Sequence, residues 1–160
     1  MANITIEYMI LVPLMILLIF VLPYAASPIM NYWSTSSQTI ALQDTSSHLE
    51  SSIQQVYLFL NGQSIPSGQV ISSAGIPQYI STFAYVGNAT LTSVSATESV
   101  LNLTLHYIGN PKHVSVDSLV TLGGNAQLNA TYSSFVSNST ATCINAIKDN
   151  TGKITLSFHT

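Results

Sequence analysis

Four histidines, one cysteine, six acidic residues and 39 hydroxyl groups (23 Ser and 16 Thr) are the side chains in these 160 residues that could do chemistry. Nucleophilic catalysis needs a base within reach of a Ser or Cys, and a metal site needs His, Cys or carboxylates clustered at ligand spacing. His48, His106, His113 and His159 stand in no such pattern: there is no Gly-x-Ser-x-Gly, no His-Glu-x-x-His and no Cys-x-x-Cys. His113 and Asp117 offer two ligands, and two ligands make no site. His106 and His159 fall on the polar side of alternating segments, where a histidine is simply solvated. Cys143 cannot form an internal disulfide and reads as a small buried residue. The expectation is therefore no enzyme, no cofactor and no metal.

Two other kinds of residue have positions that matter. Asn-x-Ser/Thr, the acceptor pattern for N-linked sugar, occurs at Asn3, Asn88, Asn102, Asn129 and Asn138. Eleven asparagines in a chain that is 39/160 Ser plus Thr would give about 2.6 such patterns by chance, so position carries more than number. Asn102 falls on the polar side of an alternating strand and Asn88 beside a Gly-Asn turn, both suited to a glycan; Asn129 and Asn138 join them as candidates, while Asn3 precedes an apolar run. The second kind is Glu7, an ionisable group at the edge of that run, where it is costly unless it reaches a partner or the interface.

The elements that must position these residues follow from where charge is missing. Only 6% of residues are charged, against 47% hydrophobic, where about a quarter is usual in a soluble domain. Three scattered lysines (Lys112, Lys148, Lys153) and no arginine argue against nucleic acid as a partner. The abundance of Ser, Thr and Asn suggests an extracellular surface. Between Glu7 and Asp44 no residue is charged, and Tyr8 to Ala26 reads YMILVPLMILLIFVLPYAA, about the 20 apolar residues a helix needs to cross a bilayer. A secretory signal peptide competes for this reading through Ala25, Ala26 and Ser27, but the start carries no positive charge. Pro13, Pro23 and Pro28 are expected to kink the helix, and Tyr24, Tyr32 and Trp33 mark its apolar end. Beyond, Leu42, Leu49, Ile53, Val56, Tyr57 and Leu60 fall on one stripe of an amphipathic helix, which Asn61-Gly62 would stop. The two halves together predict a helix from about residue 5 to 60, roughly 80 Å long at ~1.5 Å per residue.

After Gly62 the period changes to two. Leu101, Leu103, Leu105 and Tyr107 alternate with polar residues, as do Ile154, Leu156 and Phe158. Further short strands are expected over Gln78 to Val86, Leu91 to Ala96, Val114 to Leu122 and Gln127 to Tyr132. Turns are expected at Gly87-Asn88, Gly109-Asn110-Pro111, Gly123-Gly124-Asn125 and Asp149 to Gly152. The Gly, Ser and Pro-rich stretch from Gly62 to Gly75 reads as a linker. The predicted fold class is α+β: a long hydrophobic helix over residues 1–61, then an antiparallel, immunoglobulin-like β-sandwich head over 62–160.

The stretch Asn3-Ile4-Thr5-Ile6-Glu7-Tyr8-Met9-Ile10-Leu11 resembles the mature N-terminus of type IV pilin-like proteins, above all archaeal pilins with a class III signal. Glu7-Tyr8 and Pro13, six residues after the glutamate, are also similar to tight-adherence pilins and pseudopilins. LNLTLHYIGNPKHVSVDSLVTL is similar to the sandwich heads of archaeal pilins and archaella. The family carries a cleaved leader; here Met1-Ala2 precede Asn3, so cleavage falls after Ala2 or Met1 is itself the mature first residue. The resemblance implies a subunit that waits in the cytoplasmic membrane, is cut by a prepilin peptidase and is added by an assembly platform to a homopolymeric cell-surface filament that serves adhesion. It implies assembly roles for Thr5, Glu7, Tyr8, Pro13 and Pro23, with Glu7 pairing with a neighbour's terminal amine. The alternatives are a single-span, membrane-anchored extracellular binding module, a minor pseudopilin or an archaellum subunit.

Overall fold

The computed structural model describes residues 2–73, 76–109, 114–139 and 142–159, with side chains of the N-terminal helix described from Tyr8 onward. One long N-terminal helix is followed by sheets that are mostly antiparallel. Helix α1 runs from Ala2 to Asn61 and passes through Pro13, Pro23 and Pro28 without a break. By compactness the chain divides at Ser37/Gln38 into one unit, Met1–Ser37, and a second, Gln38–Thr160.

In the first unit α1 is apolar on every side: from Tyr8 to Leu22 each large hydrophobic residue is between 42% and 78% exposed. It is long and apolar enough to cross a membrane. Tyr24, Tyr32 and Trp33 are exposed as well.

In the second unit, residues 38–61 of α1 are amphipathic, and the stripe expected from spacing is the buried one: Leu42, Leu49, Ile53, Val56, Tyr57 and Leu60 all lie in the core. Ile40, Leu58 and Phe59, off that stripe, are more than half exposed. The helix ends at Asn61 without the left-handed residue that Asn-Gly suggests. Gly62 N–H donates to the Phe59 carbonyl, and the Lys148 ammonium donates to the Gly62 carbonyl at 3.1 Å. A cation at a helix C-terminus meets both the unpaired carbonyls and the negative end of the helix dipole.

Among the described residues, eight strands form two four-stranded sheets. The first has the order β1 (Gly68–Ser72), β7 (Cys143–Lys148), β8 (Ile154–His159), β5 (Ala126–Leu128). The second has the order β4 (Ser115–Gly123), β3 (Glu98–Tyr107), β2 (Tyr85–Ser93), β6 (Ser134–Val136). Because β5 pairs parallel to β8, the first sheet is mixed, which the all-antiparallel, immunoglobulin-like expectation does not contain. The alternation in β3 places Leu101, Leu103, Leu105 and Tyr107 in the core, with Ala89 and Tyr85 from β2 and Val120 and Leu122 from β4. Phe135 of β6 meets Phe158 of β8 at 5.6 Å between ring centres, joining the two sheets.

Several expectations need correction. Gln127 to Tyr132 is not one strand, since β5 ends at Leu128 and Ala130–Tyr132 is a 3-10 turn, and Leu91 to Ala96 is not a strand of its own, since β2 runs on through Leu91 and ends at Ser93. Gly87-Asn88 is no turn; both residues lie inside β2. Gly87 is there for close approach, since a Cβ would collide with the Phe135 ring. The chain reverses instead after Ser93, where the amides of Val94 and Ser95 both donate to the Glu98 carbonyl. The stretch from Gln78 to Ala84 is not a strand: Ser81 and Thr82 take positive φ in a tight reversal that Ile80 and Phe83 close. The expected linker contains β1, paired along its length with β7. Of the expected Gly109-Asn110-Pro111 turn, Asn110 and Pro111 lie outside the described residues.

Candidate functional site

Thr5 and Glu7 belong to the first turns of α1, and their side chains lie outside the described residues. Tyr8 is 65% exposed, and Pro13 and Pro23 are exposed within the same apolar surface. What the first unit offers is a continuous apolar cylinder from Tyr8 to Leu22.

The candidate acceptor asparagines all belong to the second unit. Asn88 is exposed on β2 and Asn102 half-buried on β3, both on the face turned away from the core. Asn129 caps the 3-10 turn Ala130–Tyr132, its side-chain oxygen accepting from the Thr131 amide at 3.0 Å. Asn138 is exposed in the turn after β6.

Among the described residues, those that could do acid-base or metal chemistry are not brought together. His48 is exposed on α1; His106 is half-buried on the outer face of β3; His159 stacks on Tyr132 at 4.8 Å; His113 lies outside the described residues. Asp117 accepts a hydrogen bond from the Thr104 hydroxyl at 2.6 Å. Among the described residues no three His, Cys, Asp or Glu side chains are grouped as a metal would require. Cys143 is half-buried at the start of β7 rather than enclosed.

Sequence reasoning missed the contacts that seat the helix on the sheets. The Tyr107 hydroxyl donates to the Gln38 carbonyl at 3.0 Å, at the first residue of the second unit. The Ser46 hydroxyl donates to that of Ser118 on β4. Tyr57 accepts from the Gly123 amide at 2.9 Å and donates to the Asn125 side-chain oxygen, clamping the turn between β4 and β5. Gly123 has to be glycine here, because a Cβ would collide with the Tyr57 hydroxyl. Tyr57 carried a signal through its place on the apolar stripe and Tyr107 through its place in the alternating strand, but neither pattern showed what the hydroxyl would bond.

Burial raises the Tyr85 hydroxyl far above its ordinary value near 10, with the Tyr107 hydroxyl adding to the shift, and burial raises Tyr107 too. Asp149 is held below the ordinary carboxylate value, chiefly by the Thr151 hydroxyl and also by the Thr151 and Lys153 amides that close its turn. These shifts are structural, in a core and a hairpin turn. No family model, no curated protein and no solved structure matches this chain.

Proposed function

We propose that the chain is the structural subunit of an extracellular, type IV pilin-like filament, polymerising through its N-terminal helix and serving surface adhesion. The observation that carries this reading is that one helix has two surfaces. Residues 38–61 bury a single stripe in their own head, whereas among the described residues every large hydrophobic side chain from Tyr8 to Leu22 is exposed. A helix hydrophobic all round belongs in lipid or inside a larger assembly. A filament subunit uses it in both places, first as a span and then as a strut among identical struts.

Burial at ~25 cal/mol per Å² over such a length amounts to tens of kcal/mol gross. Each copy exchanges lipid for protein, however, so the net gain is much smaller and rests on packing and polar pairing. Glu7 supplies the polar term. Inside a bundle its carboxylate needs a cation, and between Met1 and Gln43 the chain has no Lys or Arg, which leaves a neighbour's terminal amine. Addition of identical subunits through a contact that does not close generates an open helical polymer.

The Glu7→Ala and Glu7→Gln variants test this in the producing cells. The account expects the head to unfold as in the parent while the polymer recovered by shearing falls to a small fraction. Polymer at parental yield from both variants would remove Glu7 from assembly. A chain that stays monomeric in the membrane fraction, parent and variant alike, would leave the helix as an anchor and the head as a binding module.

A further inference from the structure

The register between β2 and β3 sets two N-x-Thr patterns against each other. Asn88 is paired with Thr104, and Thr90 with Asn102. Each asparagine thus faces the hydroxyl residue of the other pattern. Residues i and i+2 of a strand share a face, so all four side chains stand together on the outer side of the second sheet. As diagonal neighbours the two asparagines are about 7–8 Å apart. Asn102 also has Leu119 as its cross-strand partner on β4, and Leu119 is 62% exposed.

We propose that Asn88 and Asn102 form one composite glycan site, modified before the head folds, which marks the outer face of the second sheet as the face turned to solvent. Three observations carry this. The first is orientation: the Asn102 side-chain oxygen is buried without a hydrogen-bond partner among the described residues although the residue is only half-buried, which leaves its amide nitrogen, the atom that takes the sugar, as the outward one. The second is backbone pairing. Asn88 lies between Thr104 and Ser134, and Asn102 between Thr90 and Leu119, so both strands are laddered on both edges. A transferase that must draw three extended residues into its own cleft finds neither segment free in the folded head. The third is the recognition hydroxyl: in the fold, that of Thr104 is committed to Asp117.

In the transfer the Asn Nδ2 forms a bond to the anomeric carbon of a lipid-linked sugar phosphate. The carbon–oxygen bond to phosphate breaks, the lipid phosphate leaves, and the Nδ2 proton passes to a base of the transferase. The sugar on Asn102 then lies beside Leu119 and covers the exposed leucine. A face carrying two sugars cannot be buried between subunits. That orientation rests on the filament reading; the modification itself does not.

Peptide mass spectrometry of the full chain recovered from producing cells should find sugar on both asparagines. Thr90→Val should abolish it at Asn88 alone, and Thr104→Val at Asn102 alone. The bare full chain, folded in detergent and incubated with membranes of the same cells that hold the lipid-linked sugar and its transferase, should accept no sugar at Asn88 or Asn102. The same chain kept unfolded should accept it at both. Bare asparagines in the chain from cells, sugar retained in the valine variants, or equally fast transfer to the folded chain would each overturn the proposal. Electron microscopy of the same preparation reads polymerisation separately: filaments with bare asparagines defeat the glycan site alone, and a glycosylated monomer defeats the filament reading alone.

Discussion

Two tyrosines in the same core make a matched pair at the scale of single residues. Tyr85 is fully buried with a hydroxyl that has no partner among the described residues, whereas the hydroxyl of Tyr107 donates to the Gln38 carbonyl. Removing an unsatisfied buried hydroxyl is neutral or favourable, while removing a made bond costs about 0.5–1.5 kcal/mol and leaves its acceptor bare. Tyr85→Phe should therefore equal or exceed the parent in denaturant unfolding, and Tyr107→Phe should fall below it; the reverse order would refute these assignments. Both hydroxyls are raised above their unfolded value near 10. Their linkage contribution is thus fully present below about pH 10 and is lost as pH rises beyond it. Unfolding followed by fluorescence between pH 8 and 12 should show stability falling only above pH 10, and falling less in Tyr85→Phe. Neither tyrosine's role was legible in sequence, since alternation reports which face a residue is on and not whether its hydroxyl finds an acceptor. Gly87 was misread for a related reason: glycine beside asparagine usually signals a turn, and the Phe135 ring that demands the missing Cβ lies 48 positions away.

Among the elements, α1 was the most legible, because a stripe recurring at three and four residues is a local signal needing no knowledge of what covers it. Its energetic content is testable. Leu49→Ala or Ile53→Ala empties a fully buried position and should cost about 2–5 kcal/mol. Leu58→Ala, on the exposed side, should stay within about 0.5 kcal/mol. Equal losses at Ile53 and Leu58, measured on the full chain in detergent, would mean that the helix does not seat on the sheets as described. The strands divide in the same way. β3 and β8 have one clear core face and read as alternation. β7 does not: Ile144, Asn145, Ala146 and Lys148 are all buried, with Asn145 accepting from Gln69 and Lys148 reaching the end of α1. A strand buried on both sides has no period to detect, and its polar residues are tolerated because partners distant in sequence satisfy them. β1 was hidden in a Gly-, Ser- and Pro-rich stretch because its order comes from pairing with β7, not from its own composition.

For the whole molecule the informative contrast is between a unit that buries its apolar residues and one that does not. Among the described residues the second unit encloses a core of 23; the first presents an uncharged apolar cylinder from Tyr8 to Leu22. The α+β class and the long helix were readable from composition and period. The mixed first sheet was not, since β5 is three residues long and its parallel partner begins 28 positions later. The central claim is that this cylinder is covered, in the working state, by the same cylinder of other copies. Its most direct test is negative-stain electron microscopy of material sheared from producing cells, with mass spectrometry identifying the dominant chain. The account predicts long, uniform filaments in which this chain is the major component. Cells that make the chain yet release no such filaments, with all of it extracted from the membrane as monomer, would contradict it.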